Sequence, residues 1–225
     1  MAGNGPLIEY ASYKEFSKKR KIKNLILFYY EGNDMGNFYK ELKNPLLRKY
    51  FDNEKFSQNL IEKQNFVDQL HQKTFFEKEN SFQTVRHNIE GGNKSLKNLL
   101  KFTNLRSLLN NFLFKHQGIF LESEFNELII KLKENTKIND IKLYFVYIPE
   151  YYRFKEKNFQ NEKYFYYGKI KKILKKNDIY LIDLIEEINR RKIDPLLLYP
   201  FGESGHFNEY GYKMISEIIY GKLIE

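Results

Sequence analysis

No cysteine occurs in the 225-residue chain, which excludes disulfide staples and thiol chemistry. There is no apolar run approaching the ~18 residues of a membrane span. Nor is there an opening succession of charged, apolar and cleavage regions of the kind that directs export. Arginine is scarce, at 7 of 38 basic residues. The lysines are interleaved with acids, as in Lys131-Leu132-Lys133-Glu134 and Lys155-Glu156-Lys157. The formal charge of +9 therefore reads as a solvated surface, and no nucleic-acid partner is expected, because phosphate binding needs clustered cations. The densest positive stretches, Lys18 to Lys23 and Lys169 to Lys176, fall at helix ends or before a strand, where solvated lysine is ordinary. Internal repeats and low-complexity linkers are missing too. His71, His87 and His116 have no metal-ligand spacing, so neither a metal nor another cofactor is expected.

What is there is a globular composition, 42% hydrophobic and 17% aromatic, in a length suited to one α/β domain over residues 1–225. Pro6, following Asn4 and Gly5 as cap residues, opens a helix that turns Leu7, Ile8, Ala11 and Phe16 inward and runs to about Lys19. Ile22 to Tyr30 reads as a buried strand ending at Glu31-Gly32. Ile141 to Ile148 is a second strand, stopped by Pro149, and Ile179 to Ile182 a shorter third. Helices are predicted around Tyr164 to Lys176 and from Asn208 to Leu223, the latter with Tyr212, Ile215, Ile218 and Ile219 near helical spacing. Strands separated by helices imply a parallel, doubly wound sheet. No strand signal occurs from Phe38 to Asp140, where Ser95 to Phe114 and Phe120 to Leu132 carry helical stripes. This stretch reads as a helical insertion or lid at about 38–140, of the kind that shapes a site beside strand ends.

Chemistry enters at Gly32-Asn33-Asp34, at the carboxyl end of the first predicted strand, where ligands bind in open α/β sheets. An asparagine amide there can donate to an oxyanion, although Gly-Asn-Asp is also a good turn and cap sequence, with Asp34 as a loop anchor. The second group is Phe201-Gly202-Glu203-Ser204-Gly205-His206-Phe207-Asn208, a Gly-rich loop entering the last helix. His206 suits a general base near neutral pH, and Glu203 stands three residues before it, where a carboxylate can orient the imidazole. Asp194 is a second candidate for the acid, although before Pro195 it reads as a turn residue.

Together these blocks resemble the SGNH, or GDSL-type, hydrolase family, whose members carry a catalytic Ser, an oxyanion-hole Gly and Asn, and a late His with an acid three residues before it. Gly32-Asn33-Asp34 is similar to the family's Asn block, and Glu203-Ser204-Gly205-His206 to its last block, with Glu in place of the usual Asp. Gly3-Asn4-Gly5-Pro6 looks like the Gly block, with Gly3 as its nearest equivalent. The resemblance implies a flavodoxin-like three-layer α/β/α sandwich with a parallel sheet. It implies esterase or acylhydrolase chemistry on an acyl ester, the family's range including O-acylated carbohydrates and lipids. His206 would be the base, Glu203 its partner, and the Gly3 N–H with the Asn33 amide the oxyanion hole.

The pattern departs from the family at one place. The family's Ser lies in a Gly-Asp-Ser block after the first strand, upstream of the Gly block, and this chain contains no Gly-Asp-Ser. Ser204 shares the loop of His206, while Ser12 and Ser17 lie on the first helix. None suits a nucleophile that must meet its base from a separate element. The chain thus reads as an N-terminally truncated ester hydrolase domain with its first strands missing and little activity as given. The alternative is a non-catalytic remnant that binds a glycan or a protein partner. A basic nucleic-acid binder comes third, with no Arg-rich helix or aromatic RNA-binding motif in its favour. If a central strand is missing, the strand at Ile22 to Tyr30 shows an unpaired apolar edge. The chain expressed alone is then expected to self-associate or precipitate, whereas sedimentation as a monomer with a two-state melt would count against the missing strand.

Overall fold

The computed structural model describes residues 3–17, 20–75, 120–155, 162–203 and 206–224. The chain divides into two compact units, one of Met1–Phe56 with Gly118–Glu225 and one of Ser57–Gln117. In the second, a helix spans residues 64–75 and exposes Phe66, Leu70 and Phe75. The leucine stripe from Ser95 to Phe114, together with His87 and His116, lies outside the described residues.

The first unit is a mixed α/β fold around a three-stranded parallel sheet flanked by helices. Its strands are β1 (Asn24–Tyr30), β2 (Lys142–Ile148) and β3 (Tyr180–Asp183), in the order β1-β2-β3. β1 and β2 pair from Asn24↔Lys142 to Tyr30↔Ile148, and β2 and β3 from Tyr144↔Tyr180 to Tyr147↔Asp183. Around them run α1 (Pro6–Phe16), α2 (Asp34–Lys43), α3 (Pro45–Asp52), α4 (Glu122–Ile138), α5 (Glu162–Lys176), α6 (Leu184–Arg190) and α7 (Glu209–Ile224). The excursion expected over about 38–140 therefore splits: α2, α3 and α4 belong to the core of the first unit, and the separate unit begins only at Ser57.

The period-two alternation of strand side chains sends each strand's residues to two cores. Leu27, Tyr29, Phe145 and Tyr147 join Leu7 and Tyr10 of α1, Phe38 of α2 and Phe125 and Leu128 of α4 on one face. Tyr144, Val146 and Ile182 join Leu184 and Ile188 of α6 and Met214, Ile215 and Ile218 of α7 on the other. Large rings fill the first core: Tyr29 stacks between Phe145 and Tyr147 at 5.8 and 5.5 Å and meets Phe125 edge-on at 5.9 Å. α1 turns Leu7 and Ala11 inward as its spacing predicts. Ile8 stays half-buried, and Phe16, at the end of the helix, is 36% exposed rather than inward.

Helix starts account for most of the turn chemistry. Asn44 caps α3 through Leu46 N–H (2.9 Å) and Leu47 N–H, Asp183 caps α6, and Asn208 accepts from Gly211 N–H at 2.8 Å at the start of α7. Asp194 caps the short 3₁₀ turn Pro195–Leu198, the turn role its position before proline suggests. α1 has Gly5 at its cap and no side chain of its own to use there. Glu41 of α2 accepts instead from Gly5 N–H (2.5 Å) and Leu7 N–H (3.1 Å), binding the amino-terminal segment to α2.

α7 approaches the 3₁₀ turn so closely at Gly211 that an added Cβ would lie 2.6 Å from the Leu198 carbonyl oxygen and 3.0 Å from Phe207 Cβ. This contact also sets the loop before α7, because Asn208 N–H donates to the same Leu198 carbonyl at 2.8 Å. Gly211→Ala is expected to destabilise the fold by about 1–3 kcal/mol, the usual cost of overpacking. Urea unfolding of the two chains measures it.

Candidate active site

The two motif regions lie at the carboxyl ends of β1 and β2, and one buried carboxylate joins these ends. Glu31, the residue after β1, donates its N–H to Ile148 O at 2.9 Å and so extends the parallel ladder. Its side chain, 1% exposed, accepts from Tyr147 Oη (2.7 Å), Glu150 N–H (3.1 Å) and Arg153 Nε (2.8 Å), with Arg153 Nη2 as a further donor. Burial and the Glu31 carboxylate together push the Tyr147 hydroxyl well above its ordinary pKa, so it stays a donor. The network extends across the sheet. Tyr147 packs edge-on to Tyr167 at 5.0 Å, and the Tyr167 hydroxyl donates to buried Asp183 at the end of β3. Lys171 reaches Asp183 at 3.2 Å and also Glu186.

Gly32-Asn33-Asp34 leaves this anchor directly. Asp34 is buried and its Oδ2 accepts Tyr30 N–H at 2.6 Å, so it is a loop anchor as its sequence context predicts. Asn33 stands at the cap of α2 but makes no side-chain cap bond, and it is exposed. Its amide has no hydrogen-bond partner among the described residues, unlike the capping side chains of Asn44, Asp183, Asp194 and Asn208. Gly3 has φ +86°, a conformation that favours glycine, and open space where a Cβ would be. Its neighbour Asn4 accepts from Asn37 Nδ2 at 3.3 Å, one helical turn beyond Asn33. The amino-terminal segment therefore lies along α2, held by Asn37 and Glu41, and Asn33 stands at the start of the same helix.

The His206 loop is held over the same strand ends by aromatic residues. Phe207 packs on Tyr199 at 4.9 Å, Tyr199 Oη donates to Pro149 O just past β2 at 3.4 Å, and Tyr151 Oη donates to Gly202 O at 2.6 Å. Burial raises the Tyr199 hydroxyl, and the neighbouring Tyr30, Glu150 and Glu31 add to the shift. His206 and Glu203 are both exposed, and no hydrogen bond or ion pair joins them among the described residues. Ser204 lies outside the described residues. Ser12 lines a groove of about 270 Å³ between α1 and β1, and Ser17 sits at the far end of α1, beside the amino ends of the strands. Neither is placed at the His206 loop.

The sequence marks Glu31 only as the end of a strand and gives Tyr147 and Arg153 no role. These partners lie more than a hundred residues from Glu31, and no local spacing connects them. A second group it missed lines the outer edge of β1, where the carboxyl of Glu9 faces Phe28 N–H and Asp34 holds Tyr30 N–H. Carboxylates on an edge block the addition of another strand, so less of β1 is bare than its apolar pattern implies. Burial, then Asp34 and Glu41, push the Glu9 carboxyl up to about 8. Burial, then Glu41, raises Asp34 to about 7 against the pull of Tyr30 N–H. Burial also raises Glu41, opposed by the backbone N–H groups at the start of α1.

No protein-family model, curated protein or solved structure matches this chain.

Two outcomes follow from these contacts. Arg153→Met leaves Glu31 charged, buried and short of its cation, and is expected to cost about 3–5 kcal/mol in urea unfolding. The raised carboxyls give the opposite sign of pH dependence from ordinary surface acids. Their folded pKa values exceed the unfolded 4.5 and 3.8, so the stability they add is complete below about pH 4 and is lost as pH rises through 7 to 8. Melting temperature should fall between about pH 5 and pH 8.5, and Glu9→Gln should flatten that slope; an unchanged slope would remove Glu9 from the account.

Proposed function

We propose that this chain is an SGNH/GDSL-type ester hydrolase domain on a flavodoxin-like three-layer α/β/α scaffold. Asn33 and Gly3 supply the oxyanion hole and His206 the general base, with Glu203 as its acid partner. The observation that carries the reading is the Asn33 amide, exposed at the carboxyl end of β1 and uncommitted among the described residues, where the capping side chains of Asn44, Asp183, Asp194 and Asn208 are engaged. Support comes from the Tyr199 and Phe207 packing that holds the His206 loop over the neighbouring strand end.

In this reading a nucleophilic serine attacks an acyl ester, His206 accepts its proton, and the Asn33 amide and Gly3 N–H stabilise the tetrahedral oxyanion. Glu203 must swing toward His206 to orient it, a movement open to an exposed side chain. The substrate class is an acyl ester, of which O-acylated carbohydrates and lipids are the leading kinds. The sequence contains no Gly-Asp-Ser, and Ser12 and Ser17 stand away from the His206 loop, so the chain alone should not form an acyl-enzyme. The non-catalytic alternative, a remnant that binds a glycan or protein partner with the same surface, shares this expectation but not the next.

With p-nitrophenyl acetate the purified chain is expected to show no stoichiometric burst, and a burst of one acyl group per chain would overturn the missing nucleophile. Methylphosphonate, a tetrahedral oxyanion mimic, is expected to shift the Asn33 side-chain amide and the His206 imidazole resonances together. Shifts at neither group, or at one alone, would separate the two corners and refute a shared site.

A further inference from the structure

We propose that a second site, at the amino ends of β1 and β2, binds a small phosphorylated molecule through its phosphate. A cavity of about 710 Å³ opens there, within the size range of small-molecule sites. Its walls are the last turn of α1, the segment leading into β1, the residues after α3 and the turn from α4 into β2. It lies at the opposite end of the strands from Asn33 and His206, and neither residue lines it.

The cavity gathers cations that the linear sequence scatters. Arg20, Lys21 and Lys23 enter from before β1 and Lys55 from after α3. All four are exposed, and none has an ion-pair or hydrogen-bond partner for its side chain among the described residues. Lys14, which also lines the cavity, is engaged, donating to Asn53 O and Glu54 O. The other four lining cations make no such bond among the described residues. Cations of one sign around a concave mouth focus the local field and concentrate anions, and their bonds to phosphate oxygens are charge-assisted.

The rest of the lining suits a small polyol more than a polymer. Exposed Asp140 offers an unengaged carboxylate to hydroxyl groups, and Phe56 offers a half-buried ring. Of the acids in the wall, Glu54 faces Lys131 at 3.8 Å, so the cations retain an excess. A concave site with a carboxylate in its lining does not track a nucleic-acid backbone, which needs an extended positive stripe.

Calorimetry on the full chain tests this with ribose 5-phosphate, inorganic phosphate and ribose. Ribose 5-phosphate is expected to bind once per chain and ribose not at all. Replacing Arg20, Lys21, Lys23 and Lys55 together by Gln should weaken binding about tenfold or more, while Lys175→Gln with Lys176→Gln on α5 should leave it unchanged. Because all six side chains are exposed, both variants should fold. No binding of either phosphate at millimolar concentration overturns the proposal, as does equal loss in both variants. A single-stranded oligonucleotide that binds more tightly than ribose 5-phosphate would replace it with a nucleic-acid surface. Retention on phosphatidic acid vesicles that ribose 5-phosphate cannot displace would assign the phosphate to a lipid headgroup instead.

Discussion

The carboxylate of Glu31 is the tie on which the rest of the first unit depends. It closes the end of β1 onto β2 through its own backbone and through Tyr147, and it fixes the turn after β2 through Glu150 N–H and Arg153. A charge so deeply buried is tolerable only when donors surround it, and here three side-chain and backbone groups do so. Because Gly32 and Asn33 follow directly, the position of the Asn33 amide is inherited from this tie. The Tyr199 packing that carries the His206 loop rests on the same strand ends.

The two ends of the sheet differ in electrostatic character. At the carboxyl ends, buried carboxylates are paired with partly exposed cations: Glu31 with Arg153, and Asp183 with Lys171. At the amino ends, cations stand exposed and without partners around a cavity. Along the outer edge of β1 a third arrangement holds, in which burial raises Glu9, Asp34 and Glu41, Glu41 adds to the shift of Asp34, and both add to that of Glu9. That group exchanges some stability at alkaline pH for an edge less open to foreign strands and for a capped α1.

Much of the fold was legible because its signals are local. Apolar runs marked β1, β2 and β3 to within two residues at each end, Pro6 and Asn208 marked the starts of helices, and Asp194 before Pro195 marked a turn. Asp34 was readable as an anchor because its partner, Tyr30 N–H, is four residues away. What could not be read was long-range. The stripe from Phe120 to Leu132 is also what a lid would carry, and only the packing of Phe125 on Phe38 and Phe145, with Phe51 of α3 on Phe38, assigns these helices to the core. The Lys18 to Lys23 run reads as a solvated helix end, since nothing local reveals that Lys55 joins Arg20, Lys21 and Lys23 around a cavity. For the candidate site, the position of Asn33 just past a strand and of His206 in the loop before the last helix could be read from the motifs, but the tie through Glu31 could not.

The register between β1 and β2 has a consequence for synthesis. Asn24 and Lys142 face each other across more than a hundred residues of chain, so β1 leaves the ribosome well before its partner exists. At roughly 5–20 residues per second the wait is on the order of ten seconds. Throughout it, a strand containing Leu25, Ile26, Leu27, Phe28, Tyr29 and Tyr30 has only local neighbours for cover, namely α1, α2 and the carboxyls of Glu9 and Asp34. The acids that lower the stability of the finished fold at high pH therefore act earlier as gatekeepers, guarding a nascent strand against the wrong neighbour until the right one is made.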